Sequence, residues 1–185
     1  MESPETQFAF LGGDRIAYQV FGEGDLDLLY LSATGDPIEL RWDWPPYARF
    51  LRGLGPCARV VMFDRRGSAS SDSASGEPLP SWERWVGESL TVLDALASER
   101  AVVLGNADAA VVAVTLAAGS SWAKPGPHRC KQPRVVGGCS QLGGCPGVVS
   151  NHGGVSGGGV GNRGVRESSD AGRVPRSCVS ALGGA

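Results

Sequence analysis

Residues 101–110 read Ala-Val-Val-Leu-Gly-Asn-Ala-Asp-Ala-Ala, and they decide the fold of this 185-residue chain. Ala101–Leu104 is a short apolar run of the kind that forms a strand buried on both faces. Gly105–Asp108 carries turn residues, and the apolar stretch Ala109–Ala118 that follows is predicted to be a helix. A buried strand that turns directly into a helix of small residues is typical of a parallel α/β sheet.

The earlier part of the chain repeats this alternation of strand and helix patterns. It begins with two segments of alternating apolar and polar residues around Gly12 and Gly13, which predict an antiparallel hairpin. The sequence therefore predicts a mostly parallel α/β sheet with an N-terminal hairpin. The segments, in chain order, are the hairpin strands Gln7–Leu11 and Arg15–Phe21, the strand Leu26–Ser32, the helix Trp44–Leu54, the strand Ala58–Phe63 and, after an N-cap at Ser81, the helix Trp82–Ala97.

Three of these segments, in this order, resemble the N-terminal half of the α/β-hydrolase family. They are Ile16–Gly22, Phe63–Asp72, which is similar to the family's Asp-x-Arg-Gly-x-Gly-x-Ser stretch, and Val103–Ala110, where the family has its nucleophile elbow. The similarity covers roughly residues 8–118. It is strongest to hydrolase-like domains of high-GC bacteria, some of which precede class III adenylate cyclase domains.

The resemblance implies an incomplete α/β-hydrolase sheet and one of two functions. The first is hydrolysis of a small ester- or epoxide-type substrate. The second is a non-catalytic regulatory or binding domain of the type associated with adenylate cyclases. The residues at the elbow bear directly on this choice.

The resemblance places the nucleophile elbow at residues 105–110. In this motif a strand turns sharply into a helix, the nucleophile stands at the tip, and small neighbours permit the turn. The alignment puts Ala107 at the nucleophile position and Gly105, Ala109 and Ala110 at the small positions, with Asn106 before the tip. Because a methyl group cannot attack a substrate, the elbow is predicted to be inactive.

Asp108 offers an alternative, because some members of the superfamily use an aspartate nucleophile. A shifted register would make Asp108 the nucleophile and Asn106 a small position, and it would leave Gly105 inside the strand. The other interpretation places Asp108 in the first turn of the helix, where the helix dipole favours a carboxylate. The residues themselves leave both interpretations open.

The other catalytic groups of the family have poor counterparts here. The resemblance assigns the oxyanion loop to the residues after the strand 26–32, where Ser32 and Ala33 are candidates without the family's usual His-Gly or Pro-Gly. The acid and the histidine of the triad follow the nucleophile in the chain, each after a later strand. The two histidines, His128 and His152, lie in Gly/Pro-rich sequence, so we expect neither to act as a base.

Composition changes abruptly after residue 118. Residues 1–118 carry nine arginines, no lysine and 17 acidic residues, whereas residues 119–185 carry 17 glycines, eight basic and two acidic residues. Leu, Ile, Val and Phe make up only 11 of the last 67 residues, too few to bury a core. We therefore predict a partial hydrolase domain at 1–118 and a disordered tail at 119–185.

The composition of the tail suggests an origin. An arginine-rich, lysine-free chain is expected from a GC-rich gene, and such a gene read out of frame yields Gly, Arg, Ala, Val, Pro, Ser and Cys. We expect the tail to be a frameshift product that replaces the second half of a hydrolase. A natural glycine-rich tail is the alternative.

Two motif-like patterns in the tail carry no chemistry. Gly159–Gly164 matches Gly-x-Gly-x-x-Gly, but about one such match is expected by chance at this glycine content, and no flanking strand or helix is predicted. The four tail cysteines lack the paired Cys-x₂₋₄-Cys spacing of a zinc site. We expect no metal, no dinucleotide and no other cofactor.

The sequence does not indicate a secreted protein, a membrane-spanning protein or a nucleic-acid-binding domain. Met1–Gln7 contains two glutamates and no basic residue, unlike a secretory signal, and the longest apolar run is about half of a membrane span. Residues 1–118 carry no basic footprint for nucleic acid. We expect a cytoplasmic protein whose partner, if it is active, is a small-molecule substrate, and whose uncovered sheet edge at Ala101–Leu104 favours self-association.

Overall fold

The computed structural model describes residues 3–32, 35–73, 81–117, 134–137 and 147–149. Up to residue 117 the helices and strands follow the order predicted from the sequence, and two short strands that were not predicted come after it. A single 3₁₀ turn, Leu40–Trp42, lies before the first helix. The elements are β1 Thr6–Leu11, β2 Asp14–Phe21, β3 Asp27–Leu31, α1 Pro45–Leu54, β4 Arg59–Phe63, α2 Trp82–Ala95, β5 Ala101–Gly105, α3 Ala109–Ala117, β6 Arg134–Gly137 and β7 Gly147–Val149.

The described strands form one sheet in the order β1-β2-β4-β3-β5-β6-β7. The hairpin pairs antiparallel with β4, and the central strands β4, β3, β5 and β6 run parallel to one another. The chain passes from β3 through α1 to its neighbour β4, and then through α2 across β3 to β5. The carboxyl ends of β3, β4 and β5 therefore lie side by side, which is where open α/β sheets place their ligand sites.

Two hydrophobic cores cover the two faces of the sheet. Leu29, Leu31, Val61 and Val103 face α2 and α3 in one core, whereas Tyr30, Val60, Met62 and Val102 face α1 in the other. Successive side chains of a strand point to opposite faces, so strands covered on both sides read as continuous apolar runs. That property explains why β3, β4 and β5 are recognisable in the sequence.

The fold class predicted from the sequence, a mostly parallel α/β sheet with an N-terminal hairpin, is confirmed. The strands after residue 118 were not predicted, because two adjacent valines in a glycine-rich stretch show no periodicity. The expectation that Ala101–Leu104 lies at the sheet edge is therefore wrong, since β6 pairs with β5 through Val103↔Val135 and Leu104↔Val136. Unpaired backbone groups along an apolar strand favour addition of a further strand, which accounts for this pairing.

The described part of the chain contains no helix that is both long and apolar enough to cross a bilayer.

Candidate functional site

The turn between β5 and α3 is built around Gly105. A Cβ at this position would lie 2.7 Å from both the carbonyl oxygen of Ala109 and the Cα of Ala110, and 2.8 Å from the Cβ of Ala113. Such distances are shorter than real carbon contacts, so only glycine allows the strand to approach the helix this closely. The small residues at 109, 110 and 113 are required on the helix side for the same reason.

Ala107 stands at the tip of this turn with a left-handed backbone. Its φ is 54°, a conformation that costs a residue with a side chain about 1–2 kcal/mol. The backbone on either side is fixed, because the Asn106 N–H donates to the carbonyl of Leu31 at 2.8 Å and the Ala110 N–H to that of Ala107 at 3.1 Å. The turn therefore presents an exposed methyl group beside the carboxyl end of β3.

Asp108 follows the tip and is half-buried. Its carbonyl accepts a hydrogen bond from the Val111 N–H at 3.3 Å, so it lies at the entry to α3. The positive pole of a helix favours a carboxylate at this place. The left-handed residue of the turn is Ala107, not Asp108.

The loop after β3 places Ser32 against a buried arginine. Arg41 is only 4% exposed, and its guanidinium donates to the Ser32 hydroxyl and to the Asp36 carboxylate, the latter at 3.2 Å. Ala33, the other oxyanion-loop candidate, lies outside the described residues. The burial of Arg41 could not be predicted from the sequence, because a charged residue in an amphipathic stretch is normally exposed and only the 3₁₀ turn directs it inwards.

The loop after β4 is held to the hairpin by its polar groups. The Asp64 carboxylate accepts hydrogen bonds from the Ile38 N–H at 3.0 Å and from the Ser70 N–H at 3.3 Å. Burial raises the pKa of Asp64, and these two hydrogen bonds oppose the rise. Farther along, Asp72 pairs with Arg15 at 2.9 Å, which fixes the end of the loop to β2.

Arg66 of the same loop joins two other elements. Its guanidinium contacts Glu88 of α2 at 3.1 Å and Asp14 of β2 at 2.5 Å. Burial raises the pKa of Glu88, and the charge of Arg66 opposes that rise. Arg66 is therefore engaged in holding the fold together, and we assign it no role in binding.

Arg65 instead points towards a small cavity at the carboxyl ends of β3 and β4. Its Cζ lies 3.4 Å from the ring centroid of Trp85, which itself stacks on Trp82 at 5.9 Å. Burial lowers the pKa of the Arg65 guanidinium, and the negative charges of Asp108 and Glu88 oppose that effect. The cavity is lined by Leu31, Ser32, Gly35, Asp36, Arg41, Phe63, Asp64, Arg65, Ser68 and Trp85.

A pair of tyrosines supports the turn from the α1 side of the sheet. The hydroxyls of Tyr30 and Tyr47 lie 2.8 Å apart, and burial raises the pKa of both. Tyr30 also interacts with the side chain of Asn106. Asn106 thus connects the turn to the core, a role that its position before the tip did not reveal in the sequence.

The described residues contain no group of three or more His, Cys, Asp or Glu side chains able to hold a metal ion. His128, His152 and the four tail cysteines lie outside the described residues. Of the groups singled out in the sequence, the structure therefore brings together Ser32, the loop after β4 and the turn at 105–110.

Solved structures of several hydrolases resemble this arrangement. An epoxide hydrolase from Vigna radiata is 17% identical, with a TM-score of 0.56 over 73% of this chain and 39% of its own. An enol-lactonase from Burkholderia xenovorans is 23% identical, with a TM-score of 0.54 over 70% of this chain and 45% of its own. The fold is part of an α/β-hydrolase fold.

A proline iminopeptidase-related protein from Thermus thermophilus gives a similar result. It is 25% identical, with a TM-score of 0.54 over 66% of this chain and 42% of its own. This chain thus spans less than half the length of each of these proteins. No protein-family model matches the sequence, and no curated protein matches it.

Proposed function

We propose that this chain is an α/β-hydrolase-like protein that does not hydrolyse ester or epoxide substrates. The observation that carries the proposal is Ala107, which occupies the left-handed tip of the strand–helix turn with φ 54°. In this motif the tip residue is the one held out towards substrate. A methyl group there has no lone pair with which to form a covalent intermediate.

The absence of a histidine in residues 1–118 supports the same conclusion. Both histidines of the chain come after residue 118, within Gly/Pro-rich sequence. A general base has to lie within hydrogen-bond reach of the proton that it abstracts. Even with a nucleophile at position 107, the described residues contain no histidine to activate it or to activate water for a second step.

The register that would make Asp108 the nucleophile is less well supported. That register would require Asp108 at the tip, whereas the left-handed backbone belongs to Ala107 and Asp108 leads into α3. We assign the Asp108 carboxylate to the helix entry, where the helix dipole and the charge of Arg65 stabilise it.

A panel of p-nitrophenyl esters, epoxides and haloalkanes tests this proposal. We expect background rates for the unchanged protein and for Asp108→Asn. Turnover that disappears in Asp108→Asn would overturn both the register and the proposed inactivity. Activity that appears only in Ala107→Ser would support the assignment of position 107 and would show that a base exists.

A second candidate function is non-catalytic binding, as in the hydrolase-like domains that precede class III adenylate cyclases. The observation that favours it is the cavity beside Ser32, Asp64 and Arg65, which persists although the turn next to it carries only a methyl group. A binding role requires the cavity and not the nucleophile. Ligand binding without turnover would separate this function from that of a damaged enzyme.

We also propose that residues 119–185 are the product of a frameshift that removed the second half of a hydrolase. The change in composition at residue 119 supports this, and so do the partial matches to longer hydrolases. Translating the coding DNA in the other two frames beyond codon 118 tests it. An α/β-hydrolase sequence in neither frame would leave a natural glycine-rich tail as the explanation.

A further inference from the structure

We propose that strand β1 pairs antiparallel with β1 of a second copy of this chain, so that two sheets join into one dimer. The strand lies at one end of the described sheet, and among the residues that the structure describes only β2 pairs with it. At the other end lies β7, which is three residues long. The inference involves neither the turn at 105–110 nor the cavity, so it can fail without affecting the proposed function.

Alternate backbone groups of β1 point away from β2. The turn residues Gly12 and Gly13 have φ values of 62° and 98°, and Leu11 lies opposite Asp14 across this turn. In a two-residue turn of this kind the N–H of Asp14 donates to the carbonyl of Leu11, so the backbone of Leu11 faces β2. The direction alternates along the strand. The N–H and C=O groups that face outwards are therefore those of Thr6, Phe8 and Phe10.

The edge of β1 lacks the features that normally keep edge strands from pairing. Its sequence, Thr-Gln-Phe-Ala-Phe-Leu, contains no charged residue and no proline. All of its residues pair with β2 in an unbroken register from Thr6↔Gln19 to Leu11↔Asp14, so no bulge bends the strand away. Proteins commonly protect an exposed edge with lysine, proline, a bulge or a covering element. The edge of β1 is therefore open to a further strand.

Two phenylalanine side chains add an apolar surface to this edge. Phe8 and Phe10 are 41% and 66% exposed and lie on the same face of β1, whereas Ala9 points into the core on the α2 side. Arg15 of β2 lies over the ring of Phe8, with its Cζ 5.2 Å from the centroid, and its charge is paired with Asp72 at 2.9 Å. Two copies therefore meet through aromatic rings and paired charges, without repulsion between like charges.

The strand is complementary to a second copy of itself. When Ala9 of one copy lies opposite Ala9 of the other, residues 7–11 of the two strands pair, and each Phe8 lies opposite Phe10 of the second copy. Because the backbone groups of Phe8 and Phe10 face outwards, each such pair exchanges both of its N–H···O bonds. Aromatic residues directly opposite one another also stabilise a strand pair. Glu5 lies beyond the paired residues, so no charge is buried. These matches favour a second copy over an unrelated strand.

Sedimentation velocity of the full chain over a range of concentrations tests this inference. A contact of one strand with one strand is expected to bury less than the roughly 1,200–2,000 Å² of a stable interface, so we expect a reversible dimer with a Kd on the order of 10–100 µM. A reducing agent excludes species linked through the five cysteines. A chain that stays monomeric at about 1 mM would overturn the inference and leave the edge to a strand of another protein.

Substitutions at exposed apolar positions locate the interface. Phe10→Lys places a charge on the edge of β1 and is expected to raise the dimer Kd at least about tenfold. Trp44→Lys changes a residue that is similarly exposed, at 62%, but lies outside β1, and it is expected to leave the Kd unchanged. Thermal unfolding shows that both variants are folded. Equal dimer Kd values for the two variants would refute the pairing through β1.

The double substitution Val111→Gln with Val114→Gln separates this dimer from association through the apolar face of α3. Both valines lie outside β1 and are exposed, so their replacement is expected to leave the dimer Kd unchanged. Loss of the dimer in this variant would place the contact on α3 and overturn the inference.

Mixtures of oppositely charged variants test the register. Phe8→Lys and Phe10→Glu are each expected to be monomeric at concentrations at which the unchanged protein is a dimer. An equimolar mixture of the two is expected to dimerise, because the introduced lysine lies opposite the introduced glutamate. A mixture of Phe8→Lys with Phe8→Glu is expected to stay monomeric, because position 8 does not face position 8 of the second copy. Dimerisation of only the latter mixture would overturn the proposed pairing.

Discussion

Gly105 is the residue at which β5 and α3 come closest, and its substitution tests the geometry of the turn. In Gly105→Ala the new methyl group meets backbone atoms of Ala109 and Ala110 at 2.7 Å, which cannot move without shifting the helix. We expect a loss of about 1–3 kcal/mol in the free energy of unfolding. Urea denaturation measures it.

A second glycine provides the matched control. Gly87 lies inside α2, where an added Cβ would meet no atom within 4 Å. Gly87→Ala is expected to stabilise the protein by about 0.5–1 kcal/mol, because alanine is the better helix former. Equal effects of the two substitutions would contradict the close packing at residue 105.

Ala107 stores strain that glycine would release. Its left-handed backbone costs about 1–2 kcal/mol, and Gly is free of that cost but gains entropy in the unfolded chain. We expect Ala107→Gly to be neutral or to stabilise the protein by up to about 1 kcal/mol. The helical control Ala110→Gly is expected to lose about 1 kcal/mol, and a similar loss in both variants would argue against a strained tip.

The raised pKa of Asp64 predicts that the stability of the protein depends on pH. Its pKa is raised in the folded protein, so between the ordinary value near 3.8 and the raised value the folded state binds more protons than the unfolded state. The contribution of Asp64 to the free energy of unfolding is therefore largest at low pH and falls as the pH rises through that window. Above the raised pKa it stays constant.

The variant Asp64→Asn isolates this effect from other titrating groups. Urea denaturation at several pH values gives the difference in unfolding free energy between the unchanged protein and the variant. We expect that difference to decrease as the pH rises from 3.8. A difference that increases over the same range would mean that the hydrogen bonds from Ile38 and Ser70 outweigh burial and lower the pKa.

At the scale of single elements, helix α2 depends on the N-cap residue that precedes it. The Ser81 hydroxyl accepts a hydrogen bond from the Arg84 N–H at 3.3 Å and caps the helix. Ser81→Ala is expected to cost about 1 kcal/mol of unfolding free energy, whereas Ser81→Asp keeps an acceptor and is expected to cost little. Thermal and urea unfolding of both variants would test the cap, and equal losses would count against it.

The elements that could be predicted from the sequence are those with a strong pattern of their own. β3, β4 and β5 are continuous apolar runs, and α1 and α2 show one apolar face, so each was predicted to within two residues at either end. β6 and β7 consist of three or four residues in glycine-rich sequence. Their pairing depends on the edge of β5 and not on their own composition, so no local pattern reports it.

The candidate site, too, could be predicted from the sequence only where a local pattern reports it. The turn at Gly105 was recognisable because close backbone contact demands small residues in fixed positions. Arg41 was not, because its burial depends on a 3₁₀ turn and on partners such as Ser32 and Asp36 that the fold brings to it. The cavity next to Arg65 likewise exists only once the ends of β3 and β4 lie side by side.

At the scale of the whole molecule, the outer surface of α3 is unusually apolar. Val111 and Val114 are 49% and 47% exposed, and Phe10 of β1 is 66% exposed. Exposed apolar side chains of this kind favour association. We expect the purified chain to aggregate or to bind a hydrophobic dye, whereas a monomer with a cooperative melt and no dye binding would contradict this.

A double substitution tests whether the exposed apolar face of α3 causes the aggregation or the dye binding. Val111→Gln together with Val114→Gln makes the outer face of the helix polar and leaves its buried residues in place. We expect lower dye fluorescence and slower aggregation, measured by light scattering, at a similar melting temperature. Unchanged dye binding would indicate that the dye binds at Phe10 on the edge strand β1 and not at α3.

The strand order also governs how the chain behaves during its synthesis. β3 receives its neighbour β4 soon after it is made, but its other neighbour, β5, begins only at residue 101. At about 5–20 residues per second, β3 spends several seconds on the ribosome with one side unpaired. A nascent chain that stalls before residue 101 therefore presents an apolar strand with one unpaired side to chaperones and proteases.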